Sequence, residues 1–105
     1  MSAVIYEVNL TVRRAIEREY RDWLDAHIRE ILALPGFVRA ELSEVIEPAP
    51  APDEFTLCTR YHLRDEQALQ DYFRQHAPRL RADGVARFGD GFRAERRVLS
   101  GAVDY

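Results

Sequence analysis

Alternating and helical patterns of apolar residues in this 105-residue sequence predict an α+β fold with the element order β-α-β-β-α-β. Four short segments alternate apolar and polar residues, as half-buried strands do. Longer segments between them repeat apolar residues every three or four positions, as amphipathic helices do. Two split β-α-β units in succession give a ferredoxin-like, four-stranded antiparallel sheet, with both helices on one face and strands one and three in the centre. At this length, residues 1–105 are expected to form a single domain.

The first part of the chain predicts one strand and one long helix. Residues 4–12 (VIYEVNLTV) alternate in the manner of a strand. Apolar residues then recur at helical spacing from Arg14 to Leu34, and Pro35-Gly36 ends the run. Thr11 is the candidate capping residue for this helix.

Two further strands flank a proline-rich segment. Strand two is predicted at residues 37–46 and strand three at residues 55–63 (FTLCTRYHL). The segment between them, EPAPAPDE, carries prolines that cannot donate ladder hydrogen bonds and that favour extended geometry. Because the residues before it are too few for a stable core of their own, we interpret this segment as a stiff connection within the sheet rather than a domain linker.

The last part of the chain predicts two helices and a final strand. Asp65 is expected to cap a helix that carries Leu69 and Tyr72 on its apolar side. Pro78 starts a short helix that ends at Gly89. Residues 92–99 (FRAERRVL) then form strand four, and SGAVDY is a short tail.

Composition and charge exclude several classes of function. The sequence is 47% hydrophobic and 31% charged, with a formal net charge of −3, and all of its 15 basic residues are arginine. The arginines are dispersed, so we expect neither a nucleic-acid surface nor an anionic membrane surface, both of which need a concentrated basic stripe. The apolar runs are too short to span a membrane. One cysteine and a start that lacks the parts of a signal peptide favour a cytoplasmic location.

Strand parity divides the side chains of the sheet between two faces. The residues predicted to pack under the helices, with Trp23 and Phe73, are Val4, Tyr6, Val8, Leu10, Val38, Ala40, Leu42, Ile46, Phe55, Leu57, Tyr61, Leu63, Phe92, Ala94 and Val98. The residues predicted on the opposite face are Glu7, Asn9, Phe37, Arg39, Glu41, Ser43, Cys58, Arg60, His62, Arg93, Glu95, Arg97 and Leu99.

The charges on this second face cannot be buried dry and unpaired, because desolvation costs several kcal/mol per ion. They must be salt-bridged, hydrated or in contact with a polar ligand. Glu7 and Arg60, on adjacent central strands, are the favoured ion pair.

Three stretches of the chain resemble a known family: IYEVNLTV, WLDAHIREILALPGF and HAPRLRADGVARFGDGFRAERRVL. They are similar to a small uncharacterised bacterial family of the dimeric α+β-barrel superfamily, which also holds antibiotic-biosynthesis monooxygenases, haem-degrading enzymes and isomerases. The resemblance implies a homodimer in which two sheets face each other and hide much of the charged face. It implies no established activity, and Arg13-Arg14 departs from the acidic residue and proline found in relatives.

Each histidine has a structural interpretation beside a catalytic one. His27 follows Trp23 by four residues and therefore stacks near the core, either as a pocket acid or base or as a structural histidine. His76 ends the second helix, where a cationic imidazole would interact favourably with the helix dipole. The three histidines are too far apart in the sequence for a metal-ligand motif, so no metal and no cofactor are expected.

The charged face supplies the other candidates. His62, predicted beside Arg60 and opposite Glu7 and Asn9, is the titratable group whose pKa the barrel interior would shift most usefully. Cys58 lies in a central strand, where a lone cysteine usually acts as a small buried hydrophobe.

Three functions from different classes fit this sequence. The first is a dimeric module that binds a small polar or anionic molecule through Glu7, Asn9, Arg39, Arg60, His62 and Arg97. The second is a cofactor-independent monooxygenase or isomerase, with His27, His62 or Tyr61 as catalytic candidates and a pocket between helices and sheet lined by Tyr6, Trp23, His27, Tyr61 and Tyr72. The third is a structural or protein-interaction dimer whose barrel is filled with salt bridges.

Overall fold

A computed structural model describes residues 3–105 as a four-stranded antiparallel sheet covered on one face by helices. In chain order the elements are β1 (Val4–Arg13), α1 (Glu17–Leu32), β2 (Phe37–Glu44), β3 (Glu54–Leu63), α2 (Glu66–Gln75), α3 (Ala77–Phe88) and β4 (Phe92–Ser100). Short 3-10 turns at Arg14–Ile16 and Gly89–Gly91 precede α1 and β4. The strand order β2-β3-β1-β4 confirms the ferredoxin-like α+β fold, with the first and third strands in the centre.

The core lies between the helices and the central strands. Val12 and Phe55 are fully buried at one end of β1 and β3, and Tyr20 and Leu24 of α1 pack with the sheet above them. Leu69 of α2 is also fully buried in this core. Burying side chains of this size from water is the main stabilising contribution in a domain as small as this one.

The start of β2 departs from the predicted parity. The register pairs Phe37 with Leu63 and Arg39 with His62, so one extra residue, Val38, is accommodated between them. This bulge turns Phe37 toward the helices, where its ring meets Tyr61 edge-on at 5.8 Å, and leaves Val38 67% exposed. The prediction of Phe37 on the uncovered face and Val38 in the core was therefore wrong, because an inserted residue reverses the face of its neighbours.

Other differences arise at the sheet edges and at the helix start. Leu42 and Val98 are predicted core residues, yet each is about half exposed because β2 and β4 are edge strands that the helices only partly cover. Ile46 follows the end of β2 and is exposed. Thr11 is not a cap, since β1 continues to Arg13, which precedes the 3-10 turn without a side-chain capping bond.

Asp65 confirms the predicted cap of α2. Its carboxylate accepts a hydrogen bond of 2.9 Å from the backbone N–H of Ala68, which holds the pKa of Asp65 below its usual range. We expect Asp65→Ala to lower the melting temperature by about 5 °C, because a helix N–H loses its acceptor. Asp65→Asn, which keeps an acceptor oxygen, is expected to retain most of the stability in the same thermal unfolding experiment. Equal losses in both variants would contradict a capping role.

The Asp65 effect also has a defined pH dependence. Since the pKa is lowered in the folded state, the stabilisation is present above the unfolded pKa and disappears as pH falls through the folded pKa. The difference in melting temperature between wild type and Asp65→Ala should therefore shrink below about pH 4.

Candidate functional sites on the two faces of the sheet

A line of alternating charges crosses the face that the helices leave uncovered. Glu41 on β2 is opposite Arg60 on β3. Arg60 is opposite Glu7 on β1, and Glu7 is opposite Arg97 on β4. We call these residues, Glu41, Arg60, Glu7 and Arg97, the charge row. The row changes sign at every strand from one sheet edge to the other.

Glu7 is the buried member of the charge row, with 2% of its surface exposed. Arg60 Nε donates to Oε1 at 3.0 Å, and Arg97 Nε donates to Oε2 at 2.7 Å. Asn9 Nδ2 donates to the same Oε2 at 2.9 Å. The hydrogen bond from Arg97 is the main cause that keeps the pKa of Glu7 below its ordinary value, although burial opposes it. The predicted Glu7–Arg60 pair is confirmed, and Arg97 is a second partner.

Arg39 on β2 and His62 on β3 contact Glu41 rather than Glu7. His62 Nε2 is 2.6 Å from Glu41 Oε1, and Arg39 Nη1 is 3.3 Å from Glu41 Oε2. Both contacts lower the pKa of Glu41, the one from His62 most. The prediction that His62 stands opposite Glu7 and Asn9 was wrong, because the register places it opposite Ile5 and Arg39.

Cys58 lies half-buried on the charged face, opposite Asn9. Burial is the main cause that raises the pKa of its thiol, and the nearby Glu7 carboxylate adds to it. The flanking arginines act in the opposite direction but do not prevail. Cys58 is therefore protonated at neutral pH and fits the interpretation of a small, partly buried side chain.

The charged face is concave and open to solvent. Two adjoining cavities of about 460 and 390 Å³ lie over it, and both include Asn9 and Glu95 from the sheet in their lining. Val45 and Pro48 form part of the wall of both. The proline-rich segment is thus a rim on the β2 side of this concavity.

A separate, smaller cavity of about 50 Å³ lies between the helices and the sheet, on the opposite side from the two cavities over the charged face. We call it the helix–sheet cavity. All the residues predicted for a pocket on this side line it, namely Tyr6, Trp23, His27, Tyr61 and Tyr72. Arg81 and Arg96 also reach its lining, and Arg81 Nη2 donates to the Tyr6 hydroxyl at 3.1 Å. The predicted space between helices and sheet is therefore present, and it is not completely filled by side chains.

Two residues in the lining of this cavity carry a buried hydroxyl that has no hydrogen-bond partner among the described residues: Tyr20 Oη and Thr59 Oγ1. Both side chains are almost completely buried. A buried hydroxyl without a partner is unfavourable by about 1–3 kcal/mol, so such groups normally meet a water or a ligand. Neither residue was predicted from the sequence as part of a site. Thr59 was detectable in principle, since it is a polar residue at an inward-facing position between Leu57 and Tyr61.

Three tyrosines of the helix–sheet cavity, Tyr20, Tyr61 and Tyr72, are available as hydrogen-bond donors rather than as bases. Burial raises the pKa of Tyr72 to about 12, and it raises the pKa of Tyr20 and Tyr61 as well. These phenols are therefore protonated at neutral pH. Tyr61, a predicted catalytic candidate, can donate a proton in a hydrogen bond from this position but is poorly placed to remove one.

His27 stands at the outer side of the same cavity. Its ring stacks on Trp23 with centroids 4.5 Å apart, as the four-residue spacing predicts. Burial lowers the pKa of His27, so the imidazole is neutral at neutral pH and can accept a proton. Trp23 Nε1 donates to Asp83 Oδ2 at 3.0 Å and so links α1 to α3. Gly84 permits this approach, because a Cβ there would lie 2.9 Å from the Trp23 ring.

His76 has a structural contact that differs from the predicted one. It ends α2, as expected, but Arg79 Nη2 lies 3.2 Å from its Nδ1. An arginine is always a donor, so Nδ1 is the acceptor in this contact. The imidazole therefore contacts the first turn of α3 through Arg79.

The arrangement of side chains and helices also bears on metal binding and on membrane insertion. Within residues 3–105, no group of three His, Cys, Asp or Glu side chains is arranged to hold a metal ion. Over the same range, no helix is both long enough and apolar enough to cross a membrane.

Comparison with known proteins identifies a family and a fold. A family model described as a domain of unknown function (DUF4286) matches residues 3–102. Among curated proteins, no sequence matches the chain significantly. A mutant of SnoaB, a cofactor-independent oxygenase from Streptomyces nogalater, is 16% identical, with a TM-score of 0.71 over 99% of this chain and 97% of that one.

Two other solved structures give the same fold. A dimeric ferredoxin-like protein from an uncultured marine organism is 7% identical, with a TM-score of 0.76 and complete coverage of both chains. Rv0793 from Mycobacterium tuberculosis is 22% identical, with a TM-score of 0.67 over 99% of this chain and 98% of that one. Likeness at this level of identity shows the architecture, and any activity must be argued from the residues of this chain.

Proposed function

Since this chain belongs to the DUF4286 family, whose function is unknown, we propose from its own geometry that it binds a small molecule in the helix–sheet cavity. The observation that carries the proposal is the pair of buried, unpartnered hydroxyls of Tyr20 and Thr59. A ligand that supplies an acceptor or donor to both would remove an unfavourable feature of the free protein.

The lining of the cavity indicates the chemistry of this ligand. Tyr6, Tyr61 and Tyr72 provide aromatic walls, and ring contacts of this kind favour a planar, largely apolar body. The two hydroxyls then fix one polar group of the ligand. The present volume of about 50 Å³ is small for an organic molecule. A ligand with an aromatic ring must therefore displace the partly buried rings of Trp23 and His27 outward.

We expect Tyr20→Phe and Thr59→Val to leave the free protein as stable as wild type, or slightly more stable, because neither hydroxyl has a partner to lose within residues 3–105. Ligand affinity should fall about tenfold for each variant, since a ligand hydrogen bond is lost. The measurement is a thermal-shift screen with phenols, quinols and aromatic carboxylates, followed by titration of the fluorescence of the single tryptophan.

Thr56→Val is the matched control for this experiment. Thr56 is on the same strand, and its hydroxyl lies 3.3 Å from that of Thr11. We expect the control to lose a little stability and to keep its ligand affinity. If no compound in the screen raises the melting temperature, or if Tyr20→Phe and Thr59→Val bind every hit as wild type does, the proposed site is wrong.

A second candidate function is a cofactor-independent monooxygenase or isomerase that uses the same cavity. It is favoured by His27, a neutral imidazole able to accept a proton beside the phenols of Tyr61 and Tyr72. The fold shared with the oxygenase SnoaB makes it a natural test. Oxygen uptake with quinol-type substrates that is lost in His27→Ala, while ligand binding persists, would support it. Uptake that is unchanged in this variant would remove His27 from the proposal.

We also propose that the protein is a homodimer whose charged faces meet, as the resemblance implies and as the dimeric ferredoxin-like neighbour favours. The face presents both signs of charge, which suits a second copy of itself better than an anionic ligand. The predicted anion site at Arg39, Arg60 and Arg97 is the weaker proposal, because Glu7 already occupies two of these arginines. Sedimentation velocity at micromolar concentration tests the dimer, and a monomer there would overturn it.

A further inference from the structure

The charge row is self-complementary under one particular two-fold symmetry. A two-fold axis parallel to the strands, placed between two facing sheets, reverses the strand order of the second copy and keeps each residue at its height along the strands. Glu41 then faces the partner's Arg97, and Arg60 faces the partner's Glu7. Every position of the row meets the opposite sign, which is the requirement for an isologous interface.

The other limiting orientation has the opposite consequence. A two-fold axis along the row itself places each row residue against its own copy, so Glu41 faces the partner's Glu41 and Arg97 faces the partner's Arg97. Like charges in close contact cost several kcal/mol and exclude a wrong orientation. The alternation of charge across the four strands therefore favours the dimer whose two-fold axis is parallel to the strands.

The geometry of the row permits direct contact between copies. Facing sheets pack about 10 Å apart, a distance that an arginine and a glutamate can span together. Arg60, Arg97 and Glu41 are 48%, 62% and 52% exposed. Each already has an ion-pair partner within its own chain, and a second copy would add a further contact on its exposed side. Within one chain, Glu41 and Arg97 are separated by three strand spacings, about 14 Å. A direct coupling between them can therefore only arise across an interface.

We propose that the charge row Glu41–Arg60–Glu7–Arg97 is the recognition element through which two copies of this chain dock face to face, with Glu41 of each paired to the partner's Arg97. This inference rests on the proposed homodimer and adds its orientation and its specificity. The expected assembly is a dimer that depends on sign complementarity between two residues on opposite edges of the sheet.

The proposal can be tested by reversing the charge of Glu41 in one copy of the chain and that of Arg97 in another. Glu41→Arg and Arg97→Glu should each weaken self-association at least tenfold, because each homodimer then contains two like-charge contacts. Mixing the two variants should restore a dimer, in which the arginine introduced into one copy meets the glutamate introduced into the other. Native mass spectrometry resolves this heterodimer if one variant carries a mass tag.

Arg93→Glu is the matched control. Arg93 is on the same strand and face as Arg97 and is equally exposed, but it lies outside the charge row. We expect Arg93→Glu to self-associate nearly as wild type does and not to rescue Glu41→Arg. Rescue of Glu41→Arg by Arg93→Glu, or no rescue by a folded Arg97→Glu, overturns the proposed pairing.

A double-mutant cycle keeps the proposal testable if Arg97→Glu fails to fold beside the buried Glu7. Glu41→Gln and Arg97→Gln keep hydrogen-bonding groups and remove the charges. Each should raise the dimer dissociation constant several-fold, and the double variant should be little weaker than either single one. Fully additive effects overturn the pairing. A wild-type monomer overturns the homodimer itself, whereas a wild-type dimer with additive effects overturns only the charge row.

Discussion

Replacing Gly36 with alanine is expected to destabilise the fold by about 3 kcal/mol, one of the largest effects available from a single methyl group. Gly36 lies in the turn between α1 and β2 with a φ of 86°, a conformation that favours glycine. A Cβ at this position would also overlap the side chain of Ala68 in α2. Strain and steric overlap therefore act together.

The position of Gly36 explains why relaxation cannot relieve this overlap. Its carbonyl accepts a hydrogen bond of 2.8 Å from the backbone N–H of Arg64, at the end of β3. The turn is thus held from one side by β3 and faces the buried Ala68 on the other. Any outward shift that makes room for a methyl group lengthens this hydrogen bond.

Gly89→Ala is the control for the Gly36 prediction. Gly89 also has a positive φ, of 55°, but no atom in the described part of the chain lies within 4 Å of a Cβ built there. Its replacement should cost about 1–2 kcal/mol, from backbone strain alone. Urea denaturation of both variants measures the difference. A Gly36→Ala variant as stable as Gly89→Ala would show that α2 moves away freely from this turn.

The sequence predicts the two central strands better than the edge strand β2. On β1 and β3 the alternation runs uninterrupted, and Tyr6 and Tyr61 both face the helices as expected. On β2 a single bulged residue exchanges the faces of Phe37 and Val38. Nothing in the local pattern distinguishes such an insertion from a regular strand, because it is fixed by how Phe37 packs on Tyr61 and Tyr72.

The two candidate sites were predictable to different degrees. The charged face follows from parity, and the Glu7–Arg60 pair follows from the order of the strands. To predict that Glu41 lies opposite Arg60 and Glu7 opposite Arg97, the exact register of all four strands must be known. The sequence pattern leaves that register uncertain by about two residues in either direction. The unpartnered state of Tyr20 and Thr59 depends on the packing of three separate elements and has no signature in the sequence.

Removing both arginines that hold Glu7 should produce the second large effect. In an Arg60→Met/Arg97→Met variant, the buried Glu7 carboxylate loses both of its cationic partners and keeps only Asn9. Because Glu7 lines a cavity that is open to solvent, this loss is expected to cost about 2 kcal/mol, less than for a fully desolvated charge. Adding Glu7→Gln to this variant should recover most of the loss, because the buried charge is then removed as well.

The loss of folding stability in this variant should change with pH in a direction that distinguishes a charge effect from a packing defect. In wild type the pKa of Glu7 is lowered, so its contribution to stability is present above the unfolded pKa and disappears as pH falls through the folded pKa. Without the arginines, burial raises the pKa of Glu7 above its unfolded value. The penalty then appears as pH rises, and it is relieved in acid by protonation.

Urea denaturation of wild type and Arg60→Met/Arg97→Met between about pH 4 and pH 7 measures this change. We expect the stability difference between the two proteins to be largest at pH 7 and to shrink by about 1 kcal/mol toward pH 4. Arg39→Met/Arg93→Met is the matched control. Its carboxylate partners Glu41 and Glu54 are more exposed than Glu7, and its loss should therefore be small. A pH-independent loss in the first variant would mean that the arginines stabilise the sheet through packing of their side chains and not through the charge of Glu7.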